Sequence, residues 1–341
     1  MKATPNLRRP RVLIVGCGDV GMRCVALLRP RARLFALTSH PARCAELRAA
    51  GVTPLVGDLD ARRSLKRLGG LAPTVLHLAP PQKTGEDDSR TRALLATLSA
   101  RRIRPARSAV APVARLRHLR AAWMEREAAN IVPDGVRRTG ARRAPVRFVY
   151  ASTTGVYGDC GGALIDETRA VRPANARAMR RVSAERQLRR ATARGALQAS
   201  IARIPGIYAA NRLPFARLEK RTPALVDADD VYTSHIHADD LAAILVRMTR
   251  LGRRGRVVHA SDDTQLKMGE YFDVVADAYG FERPPRITRA EAEGQIDPML
   301  LSFMRESRRL VNERMKRELR MRLRYPSVGD FLRNAKTPDA V

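Results

Sequence analysis

The chain has 341 residues, 45% of them hydrophobic, which is enough for one large α/β domain with a smaller companion and excludes a disordered chain. Its formal net charge is +30, yet only seven of the 64 basic residues are lysines, aromatics make up 4%, and none alternate with the arginines as stacking platforms, a pattern that argues against a nucleic-acid surface. Four cysteines without metal-ligand spacing point to reduced thiols, and the longest early apolar run, residues 12–15, is too short for a signal peptide or membrane span, so the expectation is a cytoplasmic protein with no membrane partner.

Residues 12–15 predict a strand, residues 19–28 a helix ended by Pro30, and residues 33–37 a second strand. Pro41 opens a helix that Gly51 stops, the usual Pro-first, Gly-last asymmetry. Residues 53–56 and 74–78 predict the third and fourth strands, and a helix follows over about residues 86–100. The rhythm then breaks. Residues 101–144 are rich in Arg, Ala and Pro, with Pro105, Pro112 and Pro133, and hold one helical candidate over residues 113–129 that carries Trp123. This segment reads as a basic insertion, a surface excursion rather than a binding module. Strands resume at residues 146–150 and 198–203, separated by a long helix over residues 174–194. Asp239 or Asp240 caps a helix to about residue 249, and residues 256–260 form a last strand. Beyond it lie helices over residues 268–279, 298–305, 312–319 and 328–334, with a short turn after Thr288.

The alternation of strand and helix predicts an α/β fold with a doubly wound parallel sheet. Its first turn, Gly16-Cys17-Gly18-Asp19-Val20-Gly21, runs from a strand into a helix, the context that makes a glycine turn a dinucleotide-binding fingerprint. Gly16 permits the turn, Gly18 lets the backbone approach a pyrophosphate, and Gly21 lets the helix pack close to the sheet. The N–H groups of Asp19, Val20 and Gly21 would face the phosphates. No acid ends the second strand; Ser39 and Arg43 stand there instead, which favours NADP over NAD. Asp58 and Leu59 after the third strand, and Leu78, Ala79 and Pro80 after the fourth, would lie beside the nucleotide. The expected division is a Rossmann-type portion over residues 1–206 and 228–260, and a smaller, mostly helical C-terminal substrate portion over residues 207–227 and 261–341.

Several ordered motifs extend this. They are Val75-Leu76-His77-Leu78-Ala79; the run from Phe148 through Ser152, Thr153 and Thr154 to Gly158; Arg203-Ile204-Pro205-Gly206-Ile207-Tyr208; and Ile236-His237-Ala238-Asp239-Asp240. Together they resemble the extended short-chain dehydrogenase/reductase family, which includes the NAD-dependent epimerases and dehydratases. The resemblance implies hydride transfer at the sheet edge, with Thr153, flanked by Ser152, binding the substrate oxygen, and Tyr157 on the substrate side. It also implies a Tyr-x-x-x-Lys pair on the next helix. Aligned on Glu185, the tyrosine position holds Arg177 and the lysine position holds Arg181. Arginine does not give up its proton at neutral pH, so Arg177 is read as a substrate-binding charge and Arg181 as a group for the cofactor ribose or an anion. Together with a glycine turn displaced by one residue, this is similar to the atypical branch of the family. The resemblance further implies a homodimer built on the helices near 86–100 and 174–194. Two readings follow: an NAD(P)-dependent oxidoreductase or epimerase-like enzyme acting on a small molecule, or a non-catalytic NAD(P)-binding regulator that senses redox state. No His, Cys or acidic spacing suggests a metal.

Overall fold

A computed structural model describes residues 9–100 and 144–336; the expected helix at 113–129, with Trp123, lies outside the described residues. Seven parallel strands form the centre: β1 (Arg11–Val15), β2 (Arg33–Thr38), β3 (Val52–Val56), β4 (Thr74–His77), β5 (Val146–Thr153), β6 (Leu197–Ile204) and β7 (Val257–His259). Their spatial order is 3-2-1-4-5-6-7, the doubly wound arrangement with its switch point between β1 and β4. Strands covered on both faces are apolar along most of their length, and β1, Arg-Val-Leu-Ile-Val, buries every residue after the first.

Alternate residues feed two cores. On one face Val12, Ile14, Leu34, Val149 and Ala202 pack against α1 (Asp19–Leu28) and α5 (Ala238–Leu251). On the other, Leu13, Val15, Phe35, Val75 and Phe148 pack against α3 (Ser89–Ala100) and α4 (Ala176–Ala193). The short α2 (Cys44–Ala49) follows a 3-10 turn at Pro41–Arg43. A third core joins Tyr208, Leu218, Leu225 and Phe331 to α6 (Met268–Tyr279). Around it, short helices alternate with paired two-residue strands, such as Ala224–Leu225 beside Arg286–Ile287.

Two boundaries differ from expectation for the same reason, a side chain that captures the helix start. Asp88 accepts the Thr91 N–H at 2.8 Å, so α3 begins at Ser89 and residues 86–88 lie outside it. At α5 the cap is neither Asp239 nor Asp240: His237 Nδ1 accepts the Asp239 N–H at 3.2 Å, while Asp240 accepts N–H groups from Arg324 and Tyr325 at 2.8 and 2.9 Å.

The histidines carry a pH prediction. Burial lowers the pKa of His77 to about 3 and of His235, His237 and His259 to about 4. The unfolded chain takes up these protons near pH 6.5 and the fold resists them. Their stabilisation is therefore complete above about pH 6.5 and is lost as the pH falls through about 4. Asp262, raised by burial to about 7, works in the opposite sense, its contribution disappearing as the pH rises toward 7. Burial raises Glu167, Asp230, Asp240 and Asp273 in the same sense as Asp262, while the arginine-paired or hydrogen-bonded Asp19, Asp60, Asp166 and Asp330 are lowered and act with the rings. With four rings carrying large shifts, the melting temperature is expected to fall between about pH 7 and about pH 4.5. A melting temperature that rises over that interval would contradict the assignment.

Candidate functional site

The tails of β1 and β4 lie side by side at the carboxyl edge of the sheet. The Val15 carbonyl accepts from both Leu78 N and Ala79 N, at 2.7 and 3.0 Å, which clamps the β4 tail over the glycine turn. Gly16 has φ +88°, and a Cβ there would stand 2.4 Å from the Ala79 nitrogen. At Gly18, the N-cap of α1, a Cβ would meet no atom within 4 Å. Open space therefore lies directly off a helix N-terminus whose first N–H groups have no intrahelical acceptor. That combination of room and donors fits a pyrophosphate. A Cβ on Gly21 would approach the Gly16 oxygen at 3.1 Å, so this glycine lets the helix close on the turn itself.

Arg43 is folded back onto the same turn. Its Nη1 donates to the Cys17 carbonyl at 2.7 Å, and its Nε and Nη2 donate to Glu46 at 3.0 and 2.8 Å. Glu46 escaped the sequence reading; its i,i+3 spacing from Arg43 was the available signal. Ser39 is exposed beside them, its hydroxyl 3.1 Å from His40 Nδ1. Asp58 Oδ1 accepts the Asp60 N–H at 2.9 Å, and Leu59 lines a cleft of about 600 Å³ with Asp60, Gln82 and Arg90. Arg90 spans the cleft, pairing with Asp60 at 2.5 Å and donating to the Pro80 carbonyl at 3.2 Å.

At the other end of the edge, β5 turns the two candidate hydroxyls to different sides. Thr153 is half-buried, and its Oγ1 accepts the Gly155 N–H at 3.3 Å. Ser152 is buried and donates to Glu185 at 2.7 Å. Glu185 in turn holds Arg203 through two bonds of 3.1 and 2.7 Å. The Arg203 guanidinium lies 4.7 Å from the Tyr157 ring centre, and the Tyr157 hydroxyl bonds His259 Nε2 at 2.5 Å. His259 Nδ1 donates to the Val311 carbonyl at 2.9 Å, which leaves Nε2 to accept from the tyrosine. Ser152 and Tyr157 thus belong to a buried polar network beneath the edge, not to its open side.

Arg181 reaches the edge, donating from Nη1 to the Ala151 carbonyl at 2.8 Å and to the Tyr150 hydroxyl at 3.1 Å. Arg177 stands one turn earlier on α4, its pKa lowered by desolvation, against the attraction of the Glu306 carboxylate and together with repulsion from Arg180 and Arg181. Glu306 is a second residue that sequence reasoning missed. It accepts from Asn175 Nδ2 at 3.3 Å and from Arg308 Nη1 at 2.9 Å. A Cβ on Gly155 would lie 3.7 Å from Thr153 Oγ1 and 3.9 Å from Glu306 Oε2, so this glycine keeps room between hydroxyl and carboxylate. Among the described residues no group of three His, Cys, Asp or Glu is placed to hold a metal ion, and no helix is long and apolar enough to cross a membrane.

Residues 132–260 match the NAD dependent epimerase/dehydratase family, and residues 12–132 match the TrkA-N domain. Over residues 132–260 the chain is similar to the NAD-dependent epimerases and dehydratases. No match was found among the curated proteins. Among solved structures, the chain is similar to a conserved protein of unknown function from Silicibacter pomeroyi DSS, with 25% identity, 96% of this chain and 98% of that one covered, and a TM-score of 0.71. It also shares its fold with the dTDP-glucose 4,6-dehydratase of Bacillus anthracis str. Ames in complex with NAD (13% identity, 95% and 94% covered, TM-score 0.68). The dTDP-glucose 4,6-dehydratase of Streptomyces venezuelae, with NAD and TYD bound, has the fold too (18% identity, 95% of each chain covered, TM-score 0.68). The match to the NAD-dependent family and the glycine turn at Gly16, Gly18 and Gly21 together support NAD(P) binding.

Proposed function

We propose that the protein is a cytoplasmic NAD(P)-dependent oxidoreductase or epimerase-like enzyme for a small molecule, working without the family's Tyr-x-x-x-Lys pair. The observation that carries this is the open space at Gly18, just past the end of β1, on the sheet edge where β5 ends at Thr153 and Arg181 of α4 reaches the Ala151 carbonyl. Residues 1–206 and 228–260 bind the dinucleotide, and residues 207–227 and 261–341 enclose the substrate, with Met315 and Leu319 packing back onto the sheet. A homodimer through α3 and α4 belongs to the same reading.

The nicotinamide, when bound, supplies a hydride acceptor or donor. The turn at Gly16, Gly18 and Gly21, with the N–H groups of Asp19 and Val20, holds the pyrophosphate. Ser39 and Arg43 flank the adenosine ribose and favour a 2′-phosphate, although Glu46 already occupies part of the Arg43 fork. Asp58, Leu59, Leu78, Ala79 and Pro80 line the nucleotide, and Arg181 faces the second ribose. Thr153 polarises the substrate oxygen and Arg177 draws an anionic group. Proton transfer falls to water or to the substrate, which forfeits roughly a hundredfold in rate relative to a positioned acid. The second reading, a redox-sensing regulator without turnover, draws on the two arginines that replace tyrosine and lysine.

Calorimetric titration with NAD(H) and NADP(H) tests the site. Saturable binding of one pair is expected, and Gly18→Asp should abolish it by filling the pyrophosphate space with a carboxylate. An intact protein that binds neither dinucleotide would sink both readings. The variant carrying Arg177→Tyr and Arg181→Lys separates enzyme from regulator. A gain of about a hundredfold in turnover of nucleotide sugars would mark an enzyme that lost its acid; unchanged trace activity would favour the regulator.

A further inference from the structure

Asp19, the first residue of α1, places a carboxylate beside the turn that would receive a pyrophosphate. Two arginines hold it. Arg23, on the same helix, donates from Nε at 3.1 Å. Arg212 donates from Nε at 2.7 Å, and it comes from the 3-10 turn Ala210–Arg212 in the substrate portion. Arg23 also pairs with Asp239 at the start of α5 and reaches Asn211 Oδ1 at 3.5 Å. A short ionic cluster thus ties the 210–212 turn to the mouth of the dinucleotide site.

The Asp19–Arg212 pair is not a buried strut. Its side chains are 28% and 36% exposed, in the range where ion pairs add little net stability and exchange readily. A pyrophosphate offers an arginine more charge and more acceptor oxygens than one carboxylate does. We propose that Arg212 is a pyrophosphate-binding residue: Asp19 holds it in the dinucleotide-free chain, and the pyrophosphate takes it over on binding. The exchange draws the 210–212 turn over the cofactor, so that dinucleotide binding shapes the substrate portion before a substrate arrives. This rests on the dinucleotide reading above.

The test is calorimetric titration of the full chain with ADP-ribose, which carries the pyrophosphate but no nicotinamide. Arg212→Ala is expected to weaken binding about tenfold, the loss of one charge-assisted contact, with Arg212→Lys restoring part of it. Asp19→Asn is expected to tighten binding roughly threefold, because the competitor for Arg212 is gone. The two substitutions break the same ion pair, so a merely structural pair would shift affinity in the same direction for both. The double variant is expected to match Arg212→Ala alone. Three results would overturn the exchange: unchanged affinity in Arg212→Ala, weaker binding in both single variants, or an Asp19→Asn gain that persists without Arg212, which is plain repulsion. A native chain that binds no ADP-ribose fails differently, removing the dinucleotide reading itself.

Discussion

Replacing Gly16 with alanine is expected to destabilise the protein by roughly 3 kcal/mol or more and to abolish dinucleotide binding. Two effects add. The residue sits at φ +88°, where an L side chain is strained by about 1–2 kcal/mol. The new methyl would also stand 2.4 Å from the Ala79 nitrogen, 2.6 Å from its Cα and 2.8 Å from the Leu78 carbonyl carbon. These are backbone atoms, held in place by the two bonds to the Val15 carbonyl, so relief requires tearing the β4 tail from β1. Gly18→Ala is the control. Its methyl meets nothing in the chain, so stability should change by less than about 0.5 kcal/mol while the methyl intrudes on the phosphate space. Urea unfolding beside dinucleotide titration separates the two. Equal stability loss in both variants would mean that the turn is less tightly clamped than its contacts imply.

Glu185→Leu is expected to cost about 3–5 kcal/mol, a large share of the roughly 5–15 kcal/mol that holds a typical domain together. Glu185 and Arg203 have side chains only 4% and 3% exposed. Removing the carboxylate leaves a buried guanidinium without a counter-charge and takes the acceptor from Ser152. Adding Arg203→Leu should recover part of the loss, because a paired apolar replacement leaves no orphaned charge. The measurement is the urea midpoint of the single and double variants. A double variant less stable than Glu185→Leu alone would show that Arg203 is held chiefly by its stacking on Tyr157.

Much of the fold was legible because its signals are local. Helices α1 and α6 span residues 19–28 and 268–279 as read, each set by apolar spacing over a few turns and by residues at its own ends. The strand, turn and helix of the glycine fingerprint are contiguous, so Gly16 and its β1 strand could be placed from eleven letters. Strand β5 extends to Thr153, past the expected end at residue 150, because its partner β6 continues to pair with it there. A strand's limit is decided by its neighbour, not by its own propensity.

The sequence by itself determined the class of fold, the order of its elements, the glycine turn, and the arginines where a tyrosine and a lysine were expected. Only the tertiary structure decided which polar groups meet: Ser152 with Glu185 and Arg203, Glu306 with Asn175 and Arg308, Arg212 with Asp19. The reason is physical. Backbone preference and amphipathic period act over a few residues and are written in consecutive letters. The partner of a buried or bridging charge is chosen by how distant segments pack, and Arg212 and Asp19, separated by 193 positions, carry no local sign of one another.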